Sequence, residues 1–132
     1  MAVSAEQLVA AAEAEIESIS VDTAKTLLDD PSTTFIDIRD VRELWREGKL
    51  PGAVHAPRGM LEFWIDPASP YHRELFAEEK RFVFYCASAW RSALATQMAQ
   101  KMGLKCCHIS GGFTAWKEAN AAIEAVEAKL PK

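Results

Sequence analysis

Long apolar runs are missing from this chain, and none approaches the roughly 20 residues that a membrane-spanning helix needs. Basic residues are missing from Met1 to Ile16, which carries Glu6, Glu13 and Glu15 instead. Neither a secretory signal nor a mitochondrial presequence is expected there. Positive charge is not in excess: 15 Lys and Arg against 19 Asp and Glu leave a net charge of −4. A nucleic-acid or anionic-membrane partner is therefore not expected, and an anionic ligand would need a locally positive pocket. The three cysteines form no C-x-x-C pair, and His55, His72 and His108 fall at no metal-ligand spacing. No metal and no cofactor is expected, and a reducing, cytoplasmic setting is the default. Repeats, low-complexity tracts and linkers are absent too, so residues 1–132 are read as one domain. What remains is an ordinary globular composition, 49% hydrophobic and 26% charged, enough for one core.

Helix and strand signals alternate, which predicts an α/β layer structure. Ser4 with Gln7 forms a capping box for a first helix to about Glu15. Residues 16–19 alternate as a short strand, and Ser20 opens a helix buried through Ala24, Leu27 and Leu28. Thr34–Ile38 is rich in β-formers. Asp40 with Glu43 opens another helix, with Val41, Leu44 and Trp45 expected on its inner face and Gly48 as its stop. A brief strand, 53–56, precedes a long connection over 57–78, a length that often serves a site. Phe82–Tyr85 is the most continuously apolar stretch, as for the middle strand of a parallel sheet. A helix packing through Leu94, Met98 and Met102 is expected next, then a strand within 104–109. Cys106 and Cys107 would face opposite sides of that strand. Gly111-Gly112 turns into a helix bearing Trp116. With no break afterwards, the apolar stripe of Ile123, Val126 and Leu130 lets that helix run on through Ala128 until Pro131.

Cys86 stands where the apolar strand stops, followed by the small residues Ala87, Ser88 and Ala89, and then by Trp90, Arg91 and Ser92 at the start of a helix. Unpaired N–H groups and the helix dipole favour negative charge at that point. A thiol placed there loses its proton more readily, and the thiolate is a nucleophile. An isolated cysteine at a strand end would be read as a small buried hydrophobe. The strand–loop–helix setting, with Arg91 on the same loop, points instead to covalent sulfur, acyl or phosphoryl chemistry.

Four ordered blocks carry a family resemblance. They are Asp37-Ile38-Arg39 with Glu43; Gly48 to Pro57; Cys86 to Arg91; and Gly111-Gly112-Phe113-Thr114-Ala115-Trp116. Together they resemble the single-domain rhodaneses (thiosulfate sulfurtransferases) over roughly residues 17–119, leaving extra N- and C-terminal helices outside that core. The resemblance implies a three-layer, doubly wound domain. Its sheet would have about five mostly parallel strands flanked by helices, with Cys86 at the carboxyl end of the central one. Ser88 and Ala89 replace the two glycines of the family's loop. If either position requires φ > 0, a Cβ there costs about 1 kcal/mol or more.

The implied chemistry is sulfur transfer through a Cys86 persulfide, from a small anionic donor such as thiosulfate to cyanide, a thiol or a protein acceptor. The N–H groups of Ala87, Ser88, Ala89, Trp90 and Ser92 are expected to converge on Sγ, and Arg91 to hold the donor's oxygens. Arg58 is a candidate second cation at the mouth, with Trp64 and Trp90 as walls. Asp37 is expected to brace the loop through backbone hydrogen bonds, and Arg39 to pair with Glu43. His55 is read as a satisfied structural histidine, and Cys106 and Cys107 as strand packing. Two other readings stay open: a persulfide carrier or docking module with little small-molecule turnover, and a cysteine-dependent phosphatase or arsenate reductase. The latter enzymes place five residues between cysteine and arginine; here there are four, Ala87 to Trp90.

Overall fold

A computed structural model describes residues 2–129. Five strands form one sheet in the order β1-β5-β4-β2-β3, and all neighbouring pairs are parallel. They are β1 (Ser18–Ile19), β2 (Thr33–Asp37), β3 (Val54–His55), β4 (Arg81–Tyr85) and β5 (Lys105–Ile109). The helices are α1 (Ala5–Glu15), α2 (Val21–Leu27), α3 (Val41–Glu47), α4 (Leu61–Ile65), α5 (Trp90–Lys101) and α6 (Gly112–Glu118). This is the expected α/β sheet with helices on both faces. No helix among the described residues is long and apolar enough to cross a membrane.

The side-chain alternation of the strands divides the interior in two. Phe35, Val83, Tyr85, Cys107 and Ile109 face one layer, where α2 and α6 close the core with Ala24, Phe113 and Trp116. Ile36, Phe82, Phe84 and Cys86 face the other, against Leu61 and Ile65 of α4 and Ala95 and Ala99 of α5. Helix α1 lies outside α5, joined to it through Val9, Ala12 and Ala93. Strand β4 is buried on both faces, which is why it reads as an unbroken apolar run.

Caps set the element starts. Ser4 and Gln7 make a complete capping box, as do Asp40 and Glu43, and the Ser20 side chain accepts from Thr23 N.

Three local expectations fail. Leu94 and Met98 pack half-buried as expected, but Met102 is exposed, and the fully buried face of α5 is made of Ser92, Ala93, Ala95, Thr96 and Ala99. Small residues let α5 lie close to the sheet and admit α1 on its outer side. Val41 is likewise exposed, leaving Leu44 as the buried anchor of α3. The last helix ends at Glu118 and does not continue through Ala128. Asn120 adopts φ +55°, and the following segment crosses to residue 49, where Lys49 and Glu124 exchange both backbone hydrogen bonds. Trp116 Nε1 donates to Ala122 O at 2.7 Å and fixes that turn. Leu130 and Pro131, the expected end of the helix, lie outside the described residues. The long connection over 57–78 contains α4 and two short 3₁₀ turns.

Candidate active site

The carboxyl end of β4 delivers Cys86 between β2 and β5, and α5 begins four residues later. The Cys86 side chain is fully buried, and its Sγ accepts from Ala89 N at 3.2 Å and Ser92 N at 3.4 Å. The loop therefore turns main-chain donors onto the sulfur, and α5 adds the positive end of a helix dipole. Ala89 pays for this curvature with φ +104°, a region that glycine occupies freely and alanine does not. Ser88 is exposed, and Trp90 is 51% exposed at the first turn of α5.

Behind the sulfur lies a buried polar chain. Cys86 Sγ is 3.6 Å from Ser92 Oγ, which is 2.9 Å from His108 Nδ1, and His108 Nε2 is 3.0 Å from Ser18 Oγ. Burial pulls the His108 pKa down, opposed by the charge of Glu13.

Arg91 is held from the side. Its guanidinium donates to both carboxylate oxygens of Glu43, at 2.8 and 3.0 Å. The hydrogen bond to Glu43 raises the Arg91 pKa against burial, with the Cys86 sulfur adding to the rise. The Arg91 bond, acting against burial, pulls Glu43 down to about 2.

The floor of the site is the start of α6. Phe113 N donates to Cys86 O at 2.8 Å and Thr114 N to Ala87 O at 3.0 Å. A Cβ on Gly112 would sit 2.5 Å from Cys86 O, so only glycine permits this approach.

Asp37 does not brace the loop. Its carboxylate accepts from Arg39 N at 3.0 Å and, from the side chain, at Nε and Nη2, the last at 2.7 Å. Arg39 correspondingly does not pair with Glu43. Its fully buried guanidinium also donates to Gly48 O at 2.6 Å and lies 4.2 Å from the Phe113 ring centroid. A guanidinium inside the core needs such partners: the carboxylate, the Gly48 carbonyl and the aromatic face serve it, while Nη1 makes no hydrogen bond and lies 3.8 Å from Glu47. Arg58 donates to Glu62 at 2.8 Å on α4. Trp64 packs beneath the Arg73 guanidinium, 4.5 Å from its ring centroid. His55 Nε2 is 2.7 Å from Arg39 O, a satisfied structural histidine as expected. Burial pushes the Cys106 thiol up to about 12 and raises Cys107 as well, so both are held as inert thiols. Among the described residues no group of three or more His, Cys, Asp or Glu side chains could hold a metal ion.

Sequence reasoning missed Glu43 as the anchor of Arg91, His108 behind Ser92, and the contact role of Gly112. Glu43 carried a competing signal as a helix cap. His108 carried none, because its partners are 16 and 90 residues away.

Of the expected N–H groups only those of Ala89 and Ser92 bond to the sulfur, not those of Ala87, Ser88 or Trp90; a buried thiol with these two main-chain donors, at the carboxyl end of the central parallel strand, defines a cysteine-loop α/β domain. The model of the Rhodanese-like domain matches residues 20–119, and the chain belongs to that family. It is 31% identical over 104 residues to a candidate sulfurtransferase of Bacillus subtilis, YtwF, covering 78% of this chain and 92% of the relative. It is 27% identical over 108 residues to the human thiosulfate:glutathione sulfurtransferase, covering 76% of this chain and 93% of that one. Among solved structures, it resembles RPA3614 of Rhodopseudomonas palustris, a protein of unknown function described as a possible tyrosine phosphatase. That match has a TM-score of 0.91 at 46% identity, over 94% of this chain and 96% of the other. A thiosulfate sulfurtransferase from Pseudomonas aeruginosa shares the fold, with a TM-score of 0.71 at 23% identity; the match covers 86% of this chain and 20% of that one.

Proposed function

We propose that this protein is a sulfurtransferase carrying sulfane sulfur on Cys86. The observation that carries the reading is the pair of main-chain N–H groups, Ala89 and Ser92, on Sγ at 3.2 and 3.4 Å. Donors fixed at that spacing stabilise a sulfur anion without reorganising. The Cys86 thiolate attacks the outer sulfur of thiosulfate or a similar donor. The donor's S–S bond breaks, sulfite departs with the electron pair, and a persulfide remains. Cyanide, a small thiol or a protein thiol then attacks the outer persulfide sulfur, and Cys86 leaves as thiolate. No acid or base is required in either displacement. Arg91, on the same loop as Cys86, is the cation that meets the donor's oxygens. Cys86 has no exposed surface, so a donor reaches Sγ only after a local rearrangement at the mouth of the site. Arg58 would have to leave Glu62 to take part.

The description of RPA3614 favours testing phosphatase activity alongside. Against it stand the four-residue spacing from Cys86 to Arg91 and the absence of an acidic side chain within that loop. A persulfide carrier serving a protein acceptor uses the same sulfur chemistry with a different second step. Mass spectrometry after thiosulfate treatment tests the central step. One added sulfur mapped to Cys86, and lost in Cys86→Ser, is expected. Unmodified Cys86, together with hydrolysis of an aryl phosphate, overturns the proposal. Slow turnover with cyanide but rapid transfer to a protein thiol would identify the carrier. Arg91→Ala is expected to weaken thiosulfate use several-fold, and an unchanged KM and kcat would remove Arg91 from the site.

A further inference from the structure

The chain Cys86–Ser92–His108–Ser18 runs from the buried sulfur, through the core, to the edge strand β1. Ser92 and His108 are both fully buried, whereas Ser18 is exposed. Polar side chains are costly to place in a core where apolar residues would pack without partners. Here each finds its partner in the next, at 3.6, 2.9 and 3.0 Å.

We propose that Ser92 and His108 form the proton route of Cys86, opening to solvent at Ser18, and that His108 exchanges one ring tautomer for the other when the sulfur becomes an anion. The inference rests on the reading of Cys86 as the reactive thiol. With the thiol intact, S–H donates to Ser92 Oγ, the Ser92 hydroxyl donates to His108 Nδ1, and Nε2–H donates to Ser18 Oγ. Ionisation moves the thiol proton to Oγ and the hydroxyl proton to Nδ1. The Nε2 proton leaves to water past Ser18. One proton has left, the sulfur carries one negative charge, and the ring is neutral again with its hydrogen on Nδ1. In that arrangement Nδ1–H donates to Ser92 Oγ, and the Ser92 hydroxyl donates to the sulfur. Attack on thiosulfate leaves the persulfide with the same single negative charge, so the ring holds this tautomer through the cycle.

The surroundings suit a ring that is neutral in both states. Strand β4 sets Phe84 beside His108, β1 sets Ser18, α5 sets Ser92, and the charge that reaches the ring is Glu13 of α1. Burial disfavours a lasting imidazolium, and Glu13 eases its transient formation. The alternative acceptor for the Ser92 hydroxyl, Ala89 O, is farther away at 3.3 Å. His108 reaches the sulfur only through Ser92 and is therefore a positioning residue.

The pH dependence of iodoacetamide alkylation at Cys86 reads the thiolate apart from access to the buried sulfur, and needs no sulfur transfer. His108→Leu is expected to alkylate about tenfold more slowly than wild type at neutral pH, the effect of losing one hydrogen bond that favours the anion. His108→Asn is expected to recover most of that rate, because its amide can donate to Ser92 Oγ. Adding His108→Leu to Ser92→Ala is expected to slow the reaction no further. Equal rates in wild type and His108→Leu, no advantage of Asn over Leu, or additive losses in the double variant would overturn the route. Nitrogen-15 NMR of the unsubstituted protein covers the case in which a variant fails to fold. The His108 signals are expected to change from Nε2–H to Nδ1–H with the same pH midpoint as alkylation; an unchanged tautomer sinks the proposal. A protein that alkylates as expected but forms no persulfide keeps the route and loses the sulfurtransferase reading.

Discussion

Glu43 and Arg91 grip one another across 48 residues of sequence, with the two terminal guanidinium nitrogens, Nη1 and Nη2, on the two carboxylate oxygens. Glu43 also accepts from Asp40 N at 2.8 Å, so one side chain caps α3 and fixes the arginine of the cysteine loop. Its carboxyl sits at about 2 in the fold against 4.5 ordinarily. A group whose pKa falls on folding stabilises the fold above its unfolded value, and this is lost as pH drops toward the folded one. Thermal unfolding should therefore fall steeply between pH 4.5 and about 2, the interval set by the two values. Glu43→Gln keeps the cap through its amide oxygen and removes the charge. It should be less stable than wild type at pH 7 and converge with it near the acid end. Parallel curves across that interval would show that the pair contributes nothing.

Ala89 stands at φ +104° as the residue before α5, and its N–H is one of the two on Sγ. Replacing it by glycine removes a Cβ from a conformation that costs an L-residue about 1–2 kcal/mol, offset in part by the freer unfolded chain. Ala89→Gly should be more stable by roughly 0.5–1 kcal/mol in urea unfolding. A lower midpoint at unchanged slope would mean that the alanine is not strained.

Local signals made much of this legible in advance. The capping boxes at Ser4 and Asp40, the apolar run of β4 and the Gly111-Gly112 turn depend on neighbours a few residues apart, and they lie where the sequence indicated. The cysteine loop was legible for the same reason, including a cost for a Cβ at the glycine positions, which Ala89 bears. Long-range choices were not legible. Asp37 and Arg39 are neighbours whose pairing depends on being buried together beneath Phe113, and Glu43 was free to bind Arg91 only because Arg39 had turned inward. The buried face of α5 was legible only in part, through Leu94 and Met98, because its contact with the sheet selects small residues over large ones. The last helix stops at Glu118, and Glu124 beyond it pairs with Lys49 backbone to backbone, a long-range contact that helical periodicity does not encode.

The Asp37–Arg39 pair is fully buried on both sides, at 2.7 Å. Removing one partner of such a pair leaves an uncompensated charge and costs about 3–5 kcal/mol. Arg39→Met should destabilise by that amount, and adding Asp37→Asn should recover part of it by removing the orphaned carboxylate. Denaturant unfolding of the two single variants and the double variant measures this as a coupling energy. Strict additivity would mean that the two charges are not a unit, and that Arg39 acts through its other neighbours, Gly48 O, Glu47 and the Tyr85 and Phe113 rings.

Gly112 ties the closing helix to the reactive loop through the two bonds from Phe113 and Thr114 to the carbonyls of Cys86 and Ala87. A Cβ there meets Cys86 O at 2.5 Å and Ala87 O at 2.7 Å, and its φ is +56°. Both obstacles are backbone, so neither can rotate aside. Gly112→Ala must move α6 off the loop, losing two hydrogen bonds of about 1 kcal/mol each in addition to about 1–2 kcal/mol for the left-handed conformation. A loss of more than about 2 kcal/mol is therefore expected. Stability alone does not separate this from damage elsewhere in α6, so Cys86 reactivity is the second measurement. Once the carbonyls of Cys86 and Ala87 are released, the loop no longer holds Ala89 N and Ser92 N on Sγ, and iodoacetamide should react several-fold more slowly with the folded variant at pH 7. Thr114→Ala, which keeps its N–H, should leave that rate unchanged. A stable Gly112→Ala variant with wild-type alkylation would mean that α6 does not set the geometry of the sulfur site.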